Sequence, residues 1–234
     1  MRQFATALLI LFTVFGANSQ TYEIGAILGG SNYIGDIGKT NYINPNSLAL
    51  GGIFKWNRSP RHAFRASFLY TKIKGDDSKS DNSRREQRGY SFENSIKELS
   101  IGLEFNFWNF NVHNQKVVST PYLYTGFTTF LYNDSGTLDR GNGILNNENI
   151  QNEIDFAIPM VIGYKIRFSQ SAMVGFEIGA RYTFTDNLDG SNPDEKGNQS
   201  PDAQFGNINN DDWYVFTGIT VTFAFGRLPC YCNF

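Results

Sequence analysis

The 234-residue chain carries 20 Lys and Arg against 22 Asp and Glu, and a formal net charge of −2 leaves no electrostatic footprint for nucleic acid. Aromatic residues make up 15% of it, yet mean hydropathy is −0.34, and no stretch beyond the N-terminal leader is apolar for the roughly 18 residues that would signal a membrane helix. A helical membrane protein is excluded, and with only Cys230 and Cys232, both near the C-terminus, so is a disulfide framework.

The leader comes first. Arg2 supplies a positive start, residues 5–15 are apolar, and Ala17-Asn18-Ser19 places small residues before a cut at Gln20. This pattern predicts a secretory signal peptide over 1–19. The apolar run is shorter than the roughly 20 residues a spanning anchor needs, and no Cys follows it to carry a lipid. The remainder, 20–226 with a short tail 227–234, falls within the size of one all-β domain.

Eight segments in that remainder alternate apolar and polar with a period of two, the signature of strands with one greasy face. They are predicted at 22–29, 48–56, 64–72, 98–107, 122–132, 156–168, 173–185 and 213–225. The seventh is the clearest: Val174, Phe176, Ile178, Ala180, Tyr182 and Phe184 face one way, while Gly175, Glu177, Gly179, Arg181 and Thr183 face the other. At 13 residues it exceeds the usual soluble strand of about 5–6. The fifth segment has apolar or aromatic residues on both faces, so its phase is ambiguous. Three connections (57–63, 108–121 and 169–172) are the shorter ones; four (30–47, 73–97, 133–155 and 186–212) are long and rich in Asn, Asp, Ser and Gly. The reading is an eight-stranded antiparallel transmembrane β-barrel with long extracellular loops, short periplasmic turns and both termini in the periplasm.

In this phase Glu23, Lys55, Arg65, Glu98, Glu104, Lys165, Arg167, Glu177 and Arg181 face inward. On the lipid face a midplane Lys or Arg would cost roughly 2–4 kcal/mol. A barrel this small has its interior filled by side chains, so these groups are expected to form an ion-pair plug rather than an ion pathway. Inward glycines (Gly25, Gly102, Gly163, Gly175, Gly179 and Gly218) leave room for Arg and Lys stems.

Signals for chemistry are sparse. The two histidines, His62 and His113, map to short turns without the cluster of a metal site, so neither a catalytic, a metal nor a cofactor-binding residue is assigned and no enzyme is expected. Asp186-Asn187-Leu188-Asp189-Gly190 has part of a calcium-loop spacing but lacks the terminal Glu, and reads as a structured turn. Arg84, Arg85 and Arg88 lie among Asp76, Asp77, Asp81 and Glu86, which favours a solvated loop over a phosphate site. Arg58 and Arg61 flank Pro60 in a periplasmic turn and are candidate partner contacts. Cys230 and Cys232 emerge past the last strand into an oxidising compartment, where either a strained local bridge or a bond to a partner would satisfy them.

Specific strings add to this. Gly29-Gly30-Ser31-Asn32-Tyr33-Ile34-Gly35-Asp36, residues 54–63 (FKWNRSPRHA), 88–94 (RGYSFEN), 177–190 (EIGARYTFTDNLDG) and 210–216 (NDDWYVF) resemble the PorG family of type IX secretion system outer-membrane proteins. The resemblance covers nearly the whole chain after the leader, and is poorest over 133–155. It implies an outer-membrane component of a protein export machine that serves secretion and, in gliding bacteria, motility. Such a barrel associates with periplasmic rings built from a PorK-like lipoprotein and a PorN-like partner, and the lipoprotein is a candidate for the partner bond of Cys230 or Cys232, beside the local bridge or two reduced thiols. The alternative is a free-standing small barrel, an adhesin or membrane stabiliser acting through its loops. No small-molecule substrate is implied.

Overall fold

A computed structural model describes residues 21–111, 118–133, 137–139, 144–145, 152–169, 171–191, 205 and 211–226; the leader, His113, Cys230 and Cys232 lie outside the described residues. The alternating segments form eight long strands: β1 (Thr21–Ile34), β2 (Ser47–Asn57), β3 (His62–Asp76), β4 (Ser91–Asn106), β5 (Val118–Asn133), β8 (Asn152–Arg167), β9 (Ala172–Thr183) and β10 (Trp213–Gly226). Two short strands, β6 (Thr137–Asp139) and β7 (Ile144–Leu145), extend the sheet beyond β4, and a short helix α1 (Ser83–Arg88) sits between β3 and β4.

Each long strand pairs antiparallel with two neighbours in the order β3-β2-β1-β10-β9-β8-β5-β4, and the pairing of β3 with β4 closes the circle. Directly opposed residues can be followed once around the wall, from Thr21 through Asn57, Ala63, Glu104, Tyr124, Val161, Gly179 and Phe216 back to β1 at Ser31. The ladder thus returns 10 residues above its start (31 less 21), a stagger that tilts eight closed strands by about 40°.

The outward row is apolar and exposed. It includes Ile24, Leu28, Leu50, Phe54, Phe64, Phe68, Ile101, Leu103, Phe127, Met160, Ile162, Phe176, Ile219 and Phe223. Rings cluster at its two margins: Tyr22 with Phe54 and Phe225, Trp56 with Phe64 and Trp108 with Tyr164 below, Phe127 with Phe156 and Tyr182 with Phe184 and Trp213 above. A closed antiparallel barrel with an apolar outer band between aromatic girdles is the wall of a transmembrane β-barrel.

The strands run further than the apolar-out pattern predicts, chiefly at the end carrying the long connections. Residues 73–76 belong to β3 and residues 91–97 to β4, both placed in a loop by the sequence reading. The reason is an inversion of polarity. Above the apolar band the outward positions are Lys72, Lys74, Glu93, Ser95 and Lys97, while Ile73, Phe92 and Ile96 are buried inside. The phase of β5 is also settled: Tyr122, Tyr124, Phe130 and Tyr132 point in, and Leu123, Phe127 and Leu131 point out. On the outer wall of β1, residues 41–45 fold down. Asn32 donates to the carbonyls of Asn41 and Tyr42, and a Cβ on Gly30 would lie 2.7 Å from Pro45. Val215 lies opposite Asn32 and is buried beneath this segment rather than exposed to lipid.

Candidate functional site

All nine charged residues expected inside the barrel are there, each no more than 4% exposed. Seven of them are organised around three carboxylates, Glu104, Glu177 and Glu98. Glu104 on β4 lies 2.7 Å from Lys55 Nζ of β2, 2.6 Å from Lys165 Nζ of β8 and 3.7 Å from Arg65 of β3. Glu177 on β9 takes both ends of the Arg65 guanidinium at 2.8 and 2.9 Å, and accepts the Tyr122 hydroxyl at 2.8 Å. Glu98 on β4 accepts Arg181 Nη2 at 3.1 Å, the Tyr214 hydroxyl at 2.8 Å and Ser100 Oγ at 3.2 Å. Glu23 is held by Asn57 at 2.7 Å and Thr222 at 3.0 Å. Such bidentate and shared pairs offset the desolvation that an isolated buried charge would suffer.

The inward glycines make this packing possible, though not all by leaving room for cationic stems. Gly179 does so, since a Cβ there would lie 2.5 Å from Arg181 Nη1. At Gly163, directly opposite Tyr122, the space is filled by the tyrosine ring, whose Cζ would be 2.4 Å from a Cβ. That ring then carries its hydroxyl to Glu177. The inward tyrosines Tyr122, Tyr124 and Tyr132 lie on the strand whose phase the sequence left ambiguous, and Tyr214 joins them from β10.

Both ends of the interior are corked. At the end holding the short turns, Phe110 folds across the opening, packs on Met173, Val118 and Ala224, and faces Lys165 Nζ at 4.6 Å. At the other end Ile37 and Leu188, each fully buried, reach from two connections into a cluster with Tyr33, Ile73, Phe92, Ile96, Phe130, Tyr132, Ala157 and Tyr214. Leu188 is anchored by its own backbone: its N–H donates to Asp212 at 2.9 Å and its carbonyl accepts Asn94 Nδ2 at 2.9 Å. The Tyr33 hydroxyl donates to Asp189 at 2.7 Å and also contacts Asp212.

The stretch 186–190 is therefore the turn that carries the mouth cork. Gly190 takes φ +76, and Asp189 accepts the Ser191 N–H at 2.9 Å. Burial, with the nearby carboxylates of Asp36, Asp189 and Asp211, pushes the Asp186 carboxyl up to about 7. Burial and the Asp189 charge hold Asp212 well above the usual carboxylate range. Among the described residues no group of three His, Cys, Asp or Glu is arranged to hold a metal ion.

The other sequence candidates fall outside this interior. Ser59 Oγ lies 3.2 Å from His62 Nδ1 on the surface, and accepts the backbone N–H groups of Arg61 and His62, which makes it a turn cap. Arg58 and Arg61 are exposed in that turn, Arg61 donating to Asn109 at 2.9 Å. Arg88 is engaged by Asp77 and the Asp36 carbonyl, each at 2.7 Å, and lies over the rings of Tyr90 and Phe205. Arg85 donates to the Gly38 carbonyl at 2.8 Å, so two of the three loop arginines tie connections together.

Several solved barrels share the general form. The attachment invasion locus protein Ail of Yersinia pestis, solved with a heparin analogue, aligns over 88% of this chain and 97% of its own, with a TM-score of 0.45 and 8% identity. The N-terminal β-barrel domain of Pseudomonas aeruginosa OprF aligns over 89% and 98% at TM-score 0.44 and 12% identity. Neisserial surface protein A aligns over 90% and 99% at TM-score 0.45 and 9% identity. These likenesses concern barrel form alone. No curated protein sequence matches the chain. A family profile does match, along residues 2–234, and the chain belongs to that family, DUF6089, a domain of unknown function.

Proposed function

We propose that the chain is an outer-membrane barrel of the type IX secretion machine, a PorG-like component that anchors or stabilises the periplasmic ring at the membrane. Its long connections face the outside and both termini the periplasm. The observation that supports an anchoring role over a conduit is the filled interior. Among the described residues ion pairs occupy the lumen, and Phe110 at one end and Leu188 with Ile37 at the other are buried across it, which argues against passage of a polypeptide. The periplasmic contacts would come from the exposed turn with Arg58 and Arg61, and from the tail with Cys230 and Cys232. No catalytic step, metal or cofactor enters this reading.

The test is deletion of the gene followed by measurement of cargo in the medium, with complementation by the intact chain and by a chain bearing Arg58→Glu and Arg61→Glu. Loss of type IX cargo and of co-purifying ring proteins is expected in the deletion. Normal secretion with intact rings overturns the reading and leaves the free-standing barrel acting through its loops. The feature that favours this second reading is an open recess of about 710 Å³ at the rim, between the 35–46 connection and the ends of β3 and β4.

A further inference from the structure

The outer wall changes character at one height on one side of the barrel. On β3 the outward row runs Phe64, Ala66, Phe68 and Tyr70, then Lys72 and Lys74; on β4 it runs Phe105, Leu103, Ile101 and Leu99, then Lys97. The ladder sets Lys97 opposite Tyr70 and Lys74 opposite Glu93. On β8 and β9 the outward row stays apolar to Ile154 and Phe184. The three lysines are therefore confined to β3 and β4, where the apolar band ends and lipid headgroups begin.

Their charge is only partly answered. Among the described residues Glu93 alone is ion-paired to Lys72, at 2.5 Å, and Lys74, at 2.7 Å, with those lysine side chains 48% and 44% exposed. Lys97 is exposed beside them. The rim recess adjoins this row and adds Lys39, Lys79 and the amides of Asn44 and Asn46; Asp76, Glu93 and Asp139 are its acidic members. Lys39, Lys74 and Lys79 line the recess with those three carboxylates, Lys79 paired with Asp76 at 3.0 Å, and Lys72 and Lys97 extend the basic row on the wall beside it, above exposed Phe68, Leu99 and Ile101.

We infer that this face binds a phosphorylated glycolipid of the outer leaflet. Lys72, Lys74 and Lys97 reach the phosphates, the recess accepts the sugar, and the acyl chains lie along Phe68, Leu99 and Ile101. A carboxylate already shared by two ammonium groups leaves donors free for a multivalent anion, and apolar wall beneath them distinguishes a lipid-borne phosphate from a free one. The inference rests on the proposed orientation, with the long connections outside.

The test uses the purified, folded barrel in detergent and native mass spectrometry, with bisphosphorylated lipid A, its dephosphorylated form and phosphatidylglycerol as probes. Replacement of Lys72, Lys74 and Lys97 by Gln is expected to weaken retention of the bisphosphorylated lipid by about a hundredfold, about fivefold for each lysine. The pair Arg58→Gln and Arg61→Gln should leave it unchanged. Heat-modifiable migration on gels verifies that each variant is folded. Equal retention of the dephosphorylated lipid, preference for phosphatidylglycerol, or full retention by the triple lysine variant each overturns the inference. Orientation is read separately: Ser83→Cys, in a chain with both native cysteines changed to Ser, should react with an impermeant thiol reagent in intact cells. Labelling without lipid binding refutes the glycolipid site alone, whereas labelling only after lysis refutes the orientation beneath it.

Discussion

Replacing Glu104 with Gln tests whether the lumen is a dry, packed ion core. Glu104 is fully buried, and among the described residues the ion pairs of Lys55 and Lys165 are both made to it, at 2.7 and 2.6 Å. Arg65 would keep its bidentate partner Glu177. The substitution thus leaves two buried ammonium groups opposite a neutral amide. Removing one partner of a buried pair costs about 3–5 kcal/mol. With a urea dependence of about 2 kcal/mol per molar, the unfolding midpoint of the refolded barrel should fall by about 2 M, read by tryptophan fluorescence. Glu93→Gln is the internal standard. It removes a carboxylate that also answers two lysines, but at 38% side-chain exposure, where a pair contributes about 0–1 kcal/mol. A combined Lys55→Met, Glu104→Leu and Lys165→Met variant should recover most of the loss, because apolar groups of similar volume often replace a buried ion cluster without penalty. Equal midpoints for the Glu104 and Glu93 variants would refute the argument and show a lumen wet enough to solvate stray charge.

Other measurements address the wall, the corks and the mouth. Ile162→Arg, in the middle of the apolar band, should reduce folding into bilayers by about 2–4 kcal/mol, whereas Ile154→Arg at the rim should cost about 0–1 kcal/mol; equal costs would mean the band is misplaced. In planar bilayers the purified barrel should show no stable conductance, and reproducible large steps would show that Phe110 and Leu188 do not close the ends. The Asp186 carboxyl, raised to about 7, binds its proton more tightly folded than unfolded. Its contribution is fully present below the ordinary carboxylate range and is lost as pH rises through about 7. Protease cleavage near Leu188 should therefore be faster at pH 8.5 than at pH 5.5 by this linkage, and Asp186→Asn should reduce the difference, the remainder being carried by Asp212.

Much of the wall was legible because lipid enforces a strict code. Val174, Phe176 and Ile178 alternate with Gly175, Glu177 and Gly179, and the same rule places Lys55, Arg65 and Glu104 inside. Where the wall leaves the membrane, the code reverses: Ile73 and Ile96 turn inward while Lys72 and Lys97 turn outward, so a search for apolar-out strands stops too soon. The mouth cork was illegible for a different reason. Leu188 and Ile37 are apolar residues flanked by Asp, Asn and Gly in polar connections, and only contacts such as those with Tyr33 and Asn94 give them a place. Tyrosine was the remaining ambiguity, since one ring serves equally as a lipid-girdle residue at Tyr22 and as a buried donor at Tyr122.

That reversal of polarity gives the molecule two interiors that both weaken in the cold, of which only one is free to open. The mouth is held by an apolar cluster, and apolar association weakens as water is cooled. The lumen is held by ion pairs, whose desolvation penalty grows on cooling and shrinks on warming, but it is also locked by a closed ladder of backbone bonds that has no edge from which to fray. Chilling should consequently loosen the lid while the hoop beneath stays shut, so amide protection in the connections, taken relative to the intrinsic exchange rate, would fall toward the freezing point with no matching change in the strands that cross the bilayer.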